Sequence, residues 1–266
     1  MPAFLRALPQ NASSFVRSCL QPSCIRTSRN TGLIRVIACL CMLSDHVGKM
    51  FFPQLPVMRM IGRLAFPLFA YGIAVGSVLT RSPMKYLTRI VLLALVSQPL
   101  YALGLAHENA AMYSVPFLSN PPLSVWTFYI NSWRKPSILL SLALGLAILL
   151  CLRERRWALA AGLYVLCEVI SPSLDYGVRG IRLMLLFYLL CEHPLLSLAA
   201  YTAFVLAWAR GAGYSIFGMS FGIQIFALPA ALLIHTPLKK NLKLPRWFIY
   251  SFYPGHLAVL AILSHL

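Results

Sequence analysis

The stretch V-I-A-C-L-C-M-L-S-D-H-V-G-K-M-F-F-P (36–53), followed after a short break by R-M-I-G-R-L-A-F-P-L-F (59–69), decides the fold class. Two apolar segments flank a short basic hinge. Inside the first, an acid and an imidazole stand side by side, Asp45 and His46, and Asp45 is the first acidic residue of the chain. Ionisable side chains are costly to place in hydrocarbon and mark a functional site where they occur. The stretch predicts a polytopic membrane protein whose chemistry is built around this pair.

Composition extends that reading to the whole chain. Of its 266 residues 59% are hydrophobic and only 11% charged, against about 25% charged in soluble domains; mean hydropathy is +0.75. Apolar runs recur near the ~20 residues that a spanning helix needs. They are continuous rather than alternating, which excludes an outer-membrane barrel. The expected class is all-α, a polytopic bundle of about nine (eight to ten) transmembrane helices. Nine candidate helices fall near 33–53, 58–79, 86–106, 136–152, 157–171, 180–193, 196–210, 216–235 and 247–265. Residues 1–31 hold Arg and Ser but no acid and read as a disordered cytoplasmic tail; 32–266 read as one transmembrane domain. Residues 107–135, with Trp126, Phe128, Tyr129 and Trp133, read as a re-entrant or surface-lying segment, because amphipathic rings favour the interface.

The net charge of +17 is topological. Lys and Arg sit between the apolar runs, and no basic stretch is long enough for a nucleic-acid module. With the amino terminus inside, fifteen of the 23 Lys and Arg fall on the inner side, the bias that sets orientation. The seven Cys show neither zinc-ligand spacing nor a disulfide pattern, so no metal is expected. Glu154 and Glu192 lie at helix ends and read as solvated.

His46 lies about 13 residues into the first helix and His256 about nine into the last, roughly 20 and 13 Å deep at 1.5 Å per residue. Two histidines from opposite ends of the chain can thus meet at one level, where a neutral imidazole serves as base or nucleophile. Neighbours on a helix diverge by about 100°, so Asp45 is expected to pair with Arg59 or Arg63, four apart on the next helix, rather than to orient His46. The plain alternative is an ion pair that only joins two helices. Arg59 and Arg63 also suit phosphate or carboxylate, and Arg179 and Arg182, after Asp175, offer a similar fork.

The motifs M-L-S-D-H-V-G (42–48), R-M-I-G-R-L-A-F-P-L-F-A (59–70), Y-L-T-R (86–89), S-Q-P (97–99), D-Y-G-V-R-G (175–180) and Y-P-G-H-L (253–257), in this order, resemble the TraX family of membrane proteins associated with amino-terminal acetylation of conjugative pilin. The resemblance implies an acetyl or acyl transferase using acetyl-CoA as co-substrate, in a bacterial inner (cytoplasmic) membrane, multi-pass, with a cytoplasmic amino terminus. It carries a role onto Asp45, His46, Arg59, Arg63, Asp175 and His256. In the scheme it implies, arginines hold the donor phosphates. His46 deprotonates the acceptor amine or first takes the acetyl group. His256 and Tyr253 position the carbonyl or acceptor. The expected partners are membrane lipid, acetyl-CoA and a pilin or other extracytoplasmic acceptor. Competing classes are a glycan or lipid O-acyltransferase, a proton-coupled transporter and a non-catalytic pilus assembly factor.

Overall fold

The computed structural model describes residues 10–28, 31–105, 110–216, 218–236, 242 and 244–264. Its helices are α1 (Gln10–Leu20), α2 (Thr31–Met50), α3 (Pro56–Gly62), α4 (Ala65–Leu79), α5 (Pro83–Leu105), α6 (Pro121–Ser132), α7 (Ile138–Arg153), α8 (Trp157–Val169), α9 (Gly177–Leu189), α10 (Pro194–Trp208), α11 (Ala230–His235) and α12 (Arg246–Ser264). Between α10 and α11 runs an antiparallel hairpin, β1 (Arg210–Ile216) and β2 (Met219–Phe221).

Helix α4 is the axis of the bundle. Phe66, Leu68, Tyr71, Ile73 and Val75 cover its whole circumference and all are buried, as befits a helix that is apolar all round. It packs against α2, α7, α9 and α11, while α12 closes the bundle against α5 and α2. The outer faces invert the soluble pattern. Val91, Leu92, Leu95 and Val96 on α5, Val165 and Val169 on α8, and Val259, Ile262 and Leu263 on α12 are exposed, and lipid is the solvent that suits them.

Eight of the nine expected helices appear at their expected places. Among the described residues four helical stretches are long and apolar enough to cross a membrane: Thr31–Met50, Pro56–Leu79, Pro83–Leu105 and Trp247–Ser264. Tight turns at 154–156 and 170–176 keep α7 and α8 below that length, and α10 is likewise only 15 residues. The span 56–79 is itself interrupted at Arg63 and Leu64; Pro67 has no N–H to return to the Arg63 carbonyl, and the helix breaks there. The eighth candidate, expected as a helix over 216–235, is instead part of the hairpin, a 3-10 turn (Ile223–Ala227) and the short α11. Gly211, Gly213 and Gly218, at φ of 144°, 154° and 76°, take backbone conformations closed to a helix.

The stretch expected as a disordered tail is ordered over 10–28, where α1 lies on α9 and Ile25 is buried. Glu192, read from sequence as solvated, anchors it, accepting from the Ser23 amide and hydroxyl and the Cys24 amide. Burial works against its charge, but these donors outweigh it and hold the carboxyl below its ordinary range. Arg6, Arg29, His107, Glu108, Lys239, Lys240, Lys243 and His265 lie outside the described residues. The S-Q-P motif has a structural task. The buried Gln98 donates to the Ser132 and Lys135 carbonyls and accepts from the Ser137 amide at 2.9 Å, pinning the end of the 107–135 segment to α5. Within that segment, α6 packs on α5 and leaves Trp126 exposed.

The α2–α3 crossing admits no side chain at two points: a Cβ on Gly62 would lie 2.3 Å from the Asp45 Cβ, and one on Gly48 2.6 Å from the Met58 Cβ. Gly62→Ala is therefore expected to lower stability in detergent by about 1–3 kcal/mol, the cost of overpacking, in a thermal-unfolding assay. Gly162→Ala, with nothing within 4 Å, serves as the neutral control. Because the Glu192 carboxyl is held low, its contribution is present above its unfolded value and lost as pH falls through the folded one. The protection factors of the Ser23 and Cys24 amides against hydrogen exchange, taken relative to the intrinsic rate at each pH, are expected to fall on acidification, and Glu192→Gln to remove that dependence.

Candidate functional site

The site begins with the angular spread of α2. Asp45 and His46, about 100° apart on the helix, serve two different neighbours. Asp45 faces α3, where Arg59 donates to its Oδ1 at 3.2 Å and Arg63 donates to the same oxygen more closely. Arg63 is buried and is steadied by its Nε–H to the Arg59 carbonyl at 3.3 Å. The sequence reading pairs Asp45 with Arg59 or Arg63, and the fold shows both pairings. It also engages both guanidinium groups with a carboxylate inside the bundle, so the phosphate-fork use expected for them has a competitor.

His46 faces α12. Its Nδ1 lies 2.8 Å from the Nε2 of His256, the rings are within 17° of coplanar and their centroids are 5.1 Å apart. The histidines that the sequence placed at one depth are in contact. The pair also has a determined tautomer. The Nδ1 of His256 is 2.7 Å from the Phe252 carbonyl, which can only accept, so that nitrogen carries a proton. In neutral His256, Nε2 is then an acceptor, and the proton between the rings sits on His46 Nδ1. This leaves His46 Nε2 with its lone pair. Phe252 stacks on His256 at 5.2 Å and Tyr253 meets it edge-on at 5.5 Å.

Two concavities flank this centre. One, of about 250 Å³, is apolar. Arg35, Cys39 and Met42 of α2 form one wall, with Arg89 of α5 and Tyr250 and Tyr253 of α12 opposite. Arg35, Cys39, Met42 and His46 fall at helical spacing, so the cavity runs along the face of α2 that ends at the histidines. The Tyr253 hydroxyl is buried, with Ser137 as its polar neighbour. The second is a polar recess beyond the start of α9, lined by Asp175, Tyr176, Arg179, Arg182, Trp208 and Gln224 among others. The D-Y-G turn builds it: Gly177 takes φ +54°, where a side chain is disfavoured, and Ser171 Oγ accepts from the Val178 amide at 2.9 Å. Phe66 and Tyr176 stack at 4.2 Å and Trp208 closes on both edge-on. Asp175 is reachable by solvent yet enclosed by the recess, and that enclosure pushes its carboxyl upward, against the pull of Arg63 and Lys49. Burial likewise lifts the Tyr176 phenol to about 12.

The expected site residues thus divide by place. Asp45, Arg59 and Arg63 form one cluster, His46, His256 and Tyr253 a second beside it, and Asp175 with Arg179 the recess. Arg182, offered with Arg179 as a fork, is held by Glu168 at 2.6 Å and Tyr164 at 2.9 Å. Sequence reasoning missed Arg35, counted there as tail charge. Its four-three-four spacing from His46 through Cys39 and Met42 was the available signal. It also missed Trp208 and Gln224, whose approach to Asp175 has no local signature.

The sequence matches the TraX protein family over residues 30–264. A probable fimbrial assembly protein, FimC of serogroup H1, from Dichelobacter nodosus is 25% identical over 245 residues, covering 85% of this chain and 92% of its own. An uncharacterized protein of Rickettsia prowazekii is 41% identical over 39 residues, 15% of this chain and 16% of its own. No solved structure matches.

Breaking a buried pair by removing one partner costs about 3–5 kcal/mol, whereas replacing both with apolar residues of similar size is nearly neutral. Arg63→Met is accordingly expected to lower thermal stability strongly and Asp45→Leu with Arg63→Met to recover most of it. An unchanged melting temperature in Arg63→Met would show that Arg59 alone neutralises Asp45.

Proposed function

This chain belongs to the TraX family, and on that premise we propose that it is an integral-membrane acetyltransferase that moves an acetyl group from acetyl-CoA to an amino group, that of a pilin amino terminus. The observation that carries the reading is the His46–His256 contact. A membrane bundle has brought two imidazoles together at 2.8 Å in the tautomer that leaves one lone pair, on His46 Nε2. That is the arrangement of a base and the group that orients it.

In the step proposed, the acceptor amine attacks the thioester carbonyl. His46 Nε2 takes the proton that the amine loses as the C–N bond forms, the C–S bond breaks, and the thiolate leaves and is protonated by the imidazolium. Positive charge arising on His46 is shared through Nδ1–H with His256, and the nearby carboxylate of Asp45 stabilises it. His256 is a positioning residue in this scheme and does not touch the carbonyl. The apolar cavity suits the arm of a thioester. Arg35 and Arg89 in its wall suit anionic phosphates, which answers the need for cations at a site other than Asp45. Arg6, Arg17, Arg26, Arg29 and Arg35, all before or within the first turns of α2, support a cytoplasmic position for that end of α2 in a bacterial inner membrane. The relative named as a fimbrial assembly protein supports an acceptor in a pilus or fimbria.

The test uses the protein in nanodiscs, labelled acetyl-CoA and a peptide with a free amino terminus. His46→Ala is expected to lose at least about 100-fold in transfer rate, the lower range for a general base. His256→Gln, whose Oε1 still accepts from His46 Nδ1, is expected to retain more activity than His256→Leu. Full transfer by folded His46→Ala overturns the proposal and leaves an assembly role without catalysis.

A further inference from the structure

Several features of the polar recess have no part in the scheme above. Its walls carry groups of both signs. Asp175 supplies a carboxylate, Arg179 a guanidinium, and Gln224 an amide whose residue is only 8% exposed and whose Nε2 has no hydrogen-bond partner among the described residues. A buried amide donor without an acceptor is costly and indicates that an acceptor arrives from elsewhere. Tyr176 and Trp208 present aromatic surface, their centroids 5.6 Å apart. Such a wall attracts a cation as well as an apolar group.

A simple anion does not fit these walls, because it would lie against Asp175. A simple cation meets Arg179. A ligand that carries an ammonium and, three bonds further on, a carbonyl oxygen satisfies both. A polypeptide amino terminus has that pattern. The recess also lies near the centre: the Asp175 carboxyl is within electrostatic reach of Arg63, Lys49, Asp45 and Arg59, and Asp45 adjoins His46 in the chain. The apolar cavity is approached from the opposite end of α2, at Arg35.

We infer that this recess is a binding site for the free amino terminus of a polypeptide, with its ammonium on Asp175, its first carbonyl on the Gln224 amide and Arg179, and its first side chain against Trp208. Donor and acceptor then approach the histidines from opposite ends of the bundle. The inference rests on the transferase reading only for the fate of the bound amine. The binding itself needs no donor and is tested without one.

The experiment is equilibrium dialysis of labelled Ala-Gly-Gly amide against the full chain in nanodiscs, with acetyl-CoA absent. Saturable binding is expected, at least about tenfold weaker for the N-acetylated peptide, a difference worth about 1.4 kcal/mol. Asp175→Asn and Gln224→Leu, each shown folded by its melting temperature, are expected to lose about tenfold or more, Asp175→Glu less, and His46→Ala nothing. Equal binding of the acetylated peptide overturns the inference, as does binding unaffected in the folded Asp175 and Gln224 variants. Glucosamine binding as tightly as the peptide overturns the polypeptide assignment in favour of an amino sugar, and displacement by inorganic phosphate makes the recess an anion site. Peptide bound with these preferences but never acetylated leaves the recess standing and removes the transferase reading; acetyl transfer without them does the reverse.

Discussion

The ion pair of Asp45 with Arg59 and Arg63 is the constraint on which the rest of the molecule turns. A carboxylate inside an apolar bundle has to be neutralised, and the cations that do so here come from a single face of α3. That requirement draws α3 against α2 so closely that only glycine fits at positions 48 and 62. It fixes the rotation of α2 about its own axis, and that rotation decides where His46 points. Because Asp45 is turned to α3, His46 is turned to α12. The pair is thus a structural element with a functional consequence, and the two uses are not in competition.

The direction of the protons follows from the same geometry. The chain ends in a helix whose Phe252 carbonyl captures one proton of His256, and this alone sets the protonation of both rings. Ring orientation is held by ring contacts with Phe252 and Tyr253. The two concavities differ in chemistry as their positions demand. One is an apolar slot with arginines in its wall, the other a polar recess with charges of both signs. In the transfer proposed above, the phosphorylated donor takes the first and the amine the second.

The energetic plan is that of a membrane protein with one fully enclosed helix. α4 collects the contacts of its neighbours, and outward faces are left apolar for lipid. The elements that depart from long helices lie where backbone groups find partners outside a regular ladder: the Gly177 turn, the hairpin between α10 and α11, and the Gln98 clamp. The amino-terminal segment belongs with them, because Glu192 and the Tyr71 hydroxyl, which donates to Thr27 and Ser28, supply the polar partners that its short chain lacks.

Much of this was legible in the amino-acid order. Continuous apolar runs specify helices in lipid because nothing else satisfies the backbone there, and eight of the nine runs lie where helices form. The depth of a residue along a helix is arithmetic, which is why His46 and His256 could be placed at one level, and the 100° step between neighbours separated the partners of Asp45 and His46. Hydropathy placed the short helices at 138–208 close to their observed bounds, but it could not report the hairpin at 210–221, whose apolar residues concealed its glycines. The order of the tail depends on Glu192, 168 residues beyond Cys24, and composition carries no record of so distant a partner. Sequence by itself determined the class of fold, the charged pair and the depth of the imidazoles, since these follow from local periodicity and the cost of charge in hydrocarbon. Only the tertiary structure decided the tautomer of the histidines, the approach of Gln224 and Trp208 to Asp175, and the two concavities, because each depends on which faces of separate helices are turned toward one another.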